Sequence, residues 1–150
     1  MLHEHNHDPY KIKGKVPEPT VCPVCHAVFR AGRWQWAESW PLAAHAETCE
    51  ACRRIRDHYP AGEVVLKGEA LPVRKAEILN LARNLERLET AEHPLHRIME
   101  IDQHADNVVI STTDLHLARR MGEAIYHAFK GTLNWHYNKE TCFVRVNWAS

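Results

Sequence analysis

The apolar residues of this chain change period along its length. Over residues 74–92, Ile78, Leu81, Leu85 and Leu88 recur at three- and four-residue steps. That spacing places one apolar stripe on a helix, and Pro94 enforces its end. Residues 96–102 alternate instead, which sets Ile98 and Glu100 on the face opposite Met99 and Ile101. The turn formers of His104–Asn107 lead into Val108–Thr112, so 96–112 is predicted to be a hairpin. The helical period returns over 113–130 with Leu115, Ala118, Met121, Ile125 and Phe129. Thr112 or Thr113 is the expected N-cap, Asp114 favours the dipole in the first turn, and Gly131 is the stop. Residues 132–148 are aromatic and β-branched on both sides of Asn138-Lys139-Glu140, a closing hairpin. Helix–strand–strand is thus written twice. Residues 69–150 are expected to form a two-layer α+β domain, with four strands in one sheet and both helices on one face. The other face would be open to a partner, as in RNA-binding sheets that present aromatics.

The first half has shorter elements. Val28-Phe29-Arg30 and Arg33-Trp34-Gln35-Trp36 flank Ala31-Gly32, which predicts a hairpin with a glycine turn. Alternation puts Trp34 and Trp36 on one face, where they would cover a unit with little other core or, alternatively, stack on exposed bases. Arg53–Tyr59 reads as a short helix ended by Pro60, and Glu63–Lys67 as a short strand. Gly68 and Pro72 mark a boundary, giving a module over 18–68. Residues 1–17 are expected to be an extended, solvated tail, since Pro9 and Pro17 interrupt any helix. His3, His5 and His7 alternate there, a pattern that binds transition metals weakly. Lys11, Lys13 and Lys15 alternate too, which would suit a polyanion.

Composition narrows the function only slightly. The chain has 150 residues with 19 Lys/Arg and 19 Asp/Glu, so net charge names no partner. No 18-residue apolar stretch is present, and residues 1–20 hold no apolar run of the kind a secretory signal needs. The expected setting is therefore cytoplasmic, without a membrane. Paired carboxylates, a nucleophile–base constellation and a phosphate loop are not evident, and the expectation is a protein that is not an enzyme.

The candidate chemistry lies in Cys22-Pro-Val-Cys25 and Cys49-Glu-Ala-Cys52. Two such pairs let two backbone knuckles hold one tetrahedral zinc ion. The 23 residues between the pairs slightly exceed the common spacing. A reducing cytosol disfavours disulfides. Pro17, Pro19 and Pro23 crowd the approach that a dithiol redox helix would need. His45-Ala-Glu47 beside the second pair mimics a deaminase, but a second pair closes the position that a catalytic water would occupy. The expected site is one structural Zn2+ held by Cys22, Cys25, Cys49 and Cys52 in a small treble-clef-like module: knuckle, hairpin, knuckle, helix. Cys142, left over, reads as a buried inert thiol. Arg53, Arg54 and Arg56 are the densest basic cluster, at a helix N-terminus that favours anions. They would contact phosphates, neutralise the thiolates, or be solvated. Arg119 and Arg120 on the second long helix form a further candidate RNA-binding patch.

The order of parts resembles a known family. A paired-cysteine module precedes an α+β region containing Ser111-Thr112-Thr113-Asp114-Leu115-His116-Leu117-Ala118-Arg119-Arg120-Met121-Gly122-Glu123-Ala124 and the closing Val144-Arg145-Val146-Asn147-Trp148. This is similar to the ribosomal large-subunit export adaptors, and the chain looks like a short bacterial relative of them. The resemblance covers most of 18–148 and implies binding to the large subunit through rRNA and ribosomal protein. It carries the four cysteines over as zinc ligands. It does not carry export over, because the chain is too short for that family's additional domains. The expected function is a zinc-stabilised ribosome- or structured-RNA-binding protein in assembly, quality control or stress. The alternative is a protein-interaction or regulatory module with no RNA role.

Overall fold

The structure is a computed structural model, and it describes residues 8–11, 14 and 16–150. His3, His5, His7, Lys13 and Lys15 lie outside the described residues. Among those described, three helices and two mixed sheets form the α+β architecture read from the sequence.

The first sheet belongs to the cysteine module. Strands β1 (Thr20–Val21), β2 (Val28–Arg30), β3 (Arg33–Gln35) and β4 (His45–Ala46) lie in the order β3-β2-β1-β4. Ala31 and Gly32 close the β2–β3 hairpin at φ 56° and 78°. These are the two positive values that a tight two-residue turn needs to match strand twist. Helix α1 (Glu50–Asp57) starts inside the second cysteine pair. Knuckle, hairpin and helix therefore follow in treble-clef order.

The second sheet holds β5 (Gly62–Lys67), β6 (Ile98–Gln103), β7 (Asn107–Thr112), β8 (Thr132–Asn138) and β9 (Phe143–Ala149), in the order β6-β7-β5-β9-β8. The two expected hairpins are present, but they flank a fifth strand. β5 precedes the boundary expected at 68–72, yet it pairs with β7 and β9 rather than with any strand of the module. Its sequence explains the place. Val64, Val65 and Leu66 are all buried, and a strand covered on both faces reads as a continuous apolar run.

Helices α2 (Leu71–Glu92) and α3 (Leu115–Phe129) cover one face. Leu117, Ala118, Met121 and Ile125 of α3 meet Val64, Ile110, Val144 and Val146 in one core, joined by Ile78, Leu79 and Ala82 of α2. Leu81 and Leu85 pack at its margin, while Leu88, expected on the same stripe, is 56% exposed. Trp148 is buried and donates its indole N–H to the Lys130 carbonyl.

Three local expectations are corrected. Strict alternation over 96–102 fails at a bulge: Ile98 pairs with Thr112 and Glu100 with Ser111, so Met99 is the extra residue. The bulge brings Ile98 and Ile101 to the same, helix-facing side. The N-cap of α3 is Asp114, not either threonine; its carboxylate accepts the Leu117 N–H at 2.9 Å. Finally, the open sheet face is mainly polar: of the β8 and β9 aromatics only Phe143 lies there, and the Arg145 guanidinium sits over that ring at 5.5 Å. Register places Glu63, Ser111, Arg145 and His136 in one row across it. Trp135 and Tyr137 share the helix side with Leu133. Arg145 binds Glu63 at 3.1 Å and Asn147 binds Asn134 at 3.2 Å on that face, a polar surface that water can cover.

The close fit of α3 on the sheet generates a test. A Cβ on Gly62 would lie 2.8 Å from the Ala118 Cβ and 3.0 Å from a Val144 methyl. Ala118 cannot yield without moving its helix. Gly62→Ala is expected to destabilise by about 1–3 kcal/mol through overpacking. A urea midpoint that drops with an unchanged slope would show this; an unchanged midpoint would contradict the fit.

Candidate metal centre

Each knuckle is shaped by its own backbone. In the first, the Cys22 N–H donates to the Ala27 carbonyl and the His26 N–H to the Cys22 carbonyl, both at 2.9 Å. His26 takes a positive φ of 72° to make that turn. In the second, Cys49 caps α1, and its sulfur accepts the Cys52 N–H at 3.4 Å. The Cys49 N–H reaches across to the Cys22 sulfur at 3.3 Å.

The result is a cage. All four sulfurs lie within 4.8 Å of one another; Cys22, Cys49 and Cys52 are buried and Cys25 is half-buried. The Cys25 and Cys49 sulfurs are 3.8 Å apart. Bonds of about 2.3 Å to a tetrahedral metal put ligand sulfurs about 3.8 Å apart, so the cage fits such an ion. Four protein ligands complete the tetrahedron and leave no open corner for substrate.

A guanidinium covers the cage. Arg97 donates to the Cys52 and Cys49 sulfurs, each at 3.4 Å, and its Nε donates to the Pro94 carbonyl at 2.8 Å. Arg97 comes from the residue just before β6, not from the module. Its backbone is pinned to Thr113: the Arg97 N–H donates to the Thr113 hydroxyl at 2.9 Å, and the Thr113 N–H donates to the Arg97 carbonyl at 2.9 Å. The Ile98 N–H donates to Glu86 of α2 at 2.7 Å. Next to it, the His96 ring lies 3.1 Å from Glu89 and 3.5 Å from Asp114, tying α2 to the start of α3. Leu95 and Trp34 pack against the cysteines.

Electrostatics follow from this geometry. The hydrogen bond from Cys49, then the Ala27 N–H and Arg97, hold the Cys25 thiol down at about 4 against burial. The same contact and burial push the Cys49 thiol up. Burial also raises Cys52, against the pull of Arg97. Burial works against the charge of Arg97, but Cys52, Cys25 and Cys49 outweigh it and raise its proton affinity. The metal-free cage thus keeps thiol protons that an incoming ion must displace.

The nominated arginines are placed differently from one another. Arg54 is 2% exposed, bound to Asp8 at 2.7 Å and to the Tyr59 carbonyl at 3.0 Å. Its guanidinium lies over the Tyr10 and Tyr59 rings. Arg53 donates to the Tyr10 carbonyl at 3.0 Å, and Arg56 pairs with Asp57. The three therefore do not form one outward patch. Arg53 and Arg54 fasten residues 8–10, expected to be solvated, onto α1. None of the three reaches the thiols; Arg97 does. Arg119 stacks over the half-exposed Trp135 ring at 4.0 Å, and Arg120 binds Glu89 at 2.7 Å. Trp34 covers the cage as expected, while Trp36 is 41% exposed and donates to the Thr90 carbonyl of α2 at 2.7 Å. Cys142 is buried. No helix among the described residues is long and apolar enough to cross a membrane.

No family model matches this chain, and no curated protein matches it.

Arg97 supplies the test of this centre. The purified chain is expected to hold one metal ion, measured by elemental analysis. Arg97→Met keeps the volume and removes the charge, and should lower metal affinity about tenfold in competition with a chromophoric chelator. Arg97→Lys should not restore it, since a single ammonium cannot bridge two sulfurs and a carbonyl in a planar fork. Equal affinity in all three proteins would remove Arg97 from the centre.

Proposed function

We propose that this chain is a zinc-stabilised, non-catalytic protein that binds the ribosome or structured RNA, in large-subunit assembly, quality control or stress. The observation that carries the reading is the closed cage. Four thiol ligands at tetrahedral spacing suit zinc, whose soft-ligand sites of this type are structural. Chemistry at the metal would need an open position. The module's work is then to hold a surface in place. The ribosomal partner is supported by the resemblance in 111–124 and 144–148. Within 111–124, Thr113 fastens Arg97 at the cage and Asp114 caps α3, so the segment that carries the likeness also joins the module to the α+β layer.

One observation favours a second reading. Val24 is 62% exposed at the first knuckle, Trp40 57%, and Leu42 fully. The His26 and Trp40 rings stack at 4.6 Å, which brings the Trp40 loop against that knuckle. Exposed apolar side chains grouped on one small module suit a protein partner.

Co-sedimentation of the metal-loaded chain with ribosomal subunits across a salt series separates the two. The RNA reading expects migration with the large subunit that falls steeply as salt rises, because each neutralised phosphate releases counterions. Binding to neither subunit at low salt would remove it. A partner retained after nuclease treatment and lost in Trp40→Ser would establish the second.

A further inference from the structure

The charges of α2 are segregated in an unusual way. Most of its acidic groups are spent: Glu77 pairs with Arg74 at 3.5 Å, Glu86 accepts the Ile98 N–H, and the buried Glu89 binds His96 and Arg120, while Glu92 stands exposed at the helix end. Its outward line from residue 80 to 91 is Asn80, Arg83, Asn84, Arg87 and Ala91, all exposed. These positions recur at three- and four-residue steps and so share one face. No carboxylate stands on that line. Arg83 makes no hydrogen bond or ion pair among the described residues, and Arg87 bonds only the neutral Asn84 at 2.6 Å.

This line does not end with the helix. Asn80, Arg83, Asn84 and Arg87 border one shallow hollow, and Arg87, Ala91 and Trp36 border the next. Trp36 and Ala91 border a third, with Arg33 and Gln35 of the β2–β3 hairpin and Glu92 of α2. Arg33 is exposed and likewise has no ion pair among the described residues. The indole of Trp36 sits midway, anchored through its N–H to Thr90.

We propose that this groove, from Asn80 of α2 across Trp36 to Arg33 of the hairpin, binds a single-stranded stretch of RNA. The assignment rests on the RNA reading above and names its surface. Arg83 and Arg87, on a stretch of helix face without carboxylates, can track phosphates, and Arg33 adds a third cation in the hollow it shares with Glu92. An anchored, part-exposed indole among them offers a base a stacking platform, and asparagine amides can bond base edges or sugars. An acidic protein segment would use the arginines but not the indole between them. The groove crosses from α2 to the metal module, so the cage and Arg97 hold its two halves in register.

The test uses the full metal-loaded chain and fluorescence anisotropy with a labelled single-stranded RNA of mixed sequence. Arg83→Glu with Arg87→Glu is expected to weaken binding at least about tenfold and to flatten the salt dependence by about two phosphates. Trp36→Phe keeps a stacking ring and should bind more tightly than Trp36→Ala. Metal content and far-UV circular dichroism of each variant confirm the fold, and Arg83→Gln with Arg87→Gln provides a milder pair. Wild-type binding that survives both arginine pairs would overturn the groove while leaving the RNA reading in place. Absence of wild-type binding to this RNA and to ribosomal subunits would overturn both.

Discussion

The structure depends on one contact between a cation and a buried thiol cage. Four thiolates around a divalent ion leave an excess of about two negative charges, and burying charge without a partner is costly. Backbone N–H groups answer part of that excess at Cys22 and Cys49. Arg97 answers the rest that the structure shows, and it comes from the other layer. Its fork cannot be in place unless Thr113, Pro94 and the start of β6 are folded. Docking of the two layers and electrical balance of the cage are therefore the same event. Trp36 on Thr90 and Leu95 against the cysteines add contacts across the same seam.

Pairings at and around the seam decide which charges of a balanced chain remain free. Several cations are used internally: Arg97 on sulfur, Arg54 on Asp8 and two tyrosine rings, Arg120 on Glu89. Several carboxylates are used internally as well, including Glu86 and Glu89. What remains outside is decided by these pairings rather than by composition. Two clusters that look alike in sequence, Arg53-Arg54-Arg56 and Arg83 with Arg87, end in different roles. In the first, Arg54 is buried and Arg53 partly so because α1 receives residues 8–10 on its side, and Arg56 alone stays exposed.

Much of this was legible in the chain. The cysteine spacing named the cage, since a two-residue gap is a local property of one turn. The long helices and hairpins followed from their period, because side chains three, four or two apart share a face whatever the tertiary setting. Less legible were features set by distant partners. Nothing near Arg97 marks it, as its sulfurs are about 45 residues away in sequence. The bulge at Met99 breaks an alternation that the residues alone support. Asp114 outcompeted both threonines because a carboxylate in the extended cap position reaches the Leu117 N–H directly. β5 looked like a module strand because it follows α1 closely; its continuous apolar run was the sign of a central position.

The central place of β5 has a consequence for how the chain comes together. It is the first strand of the large sheet to be made, yet its neighbours arrive much later: Val64 pairs with Ile110 and with Val146. Both of its edges stay open until the hairpins fold back over long loops, and closing those loops costs chain entropy before any pairing rewards it. An apolar strand with two unpaired edges waits until residues 107–112 and 143–149 are present. Strand β9 fills the other side of β5 inside the sheet, so removal of residues 143–149 would unmake the centre rather than trim an edge.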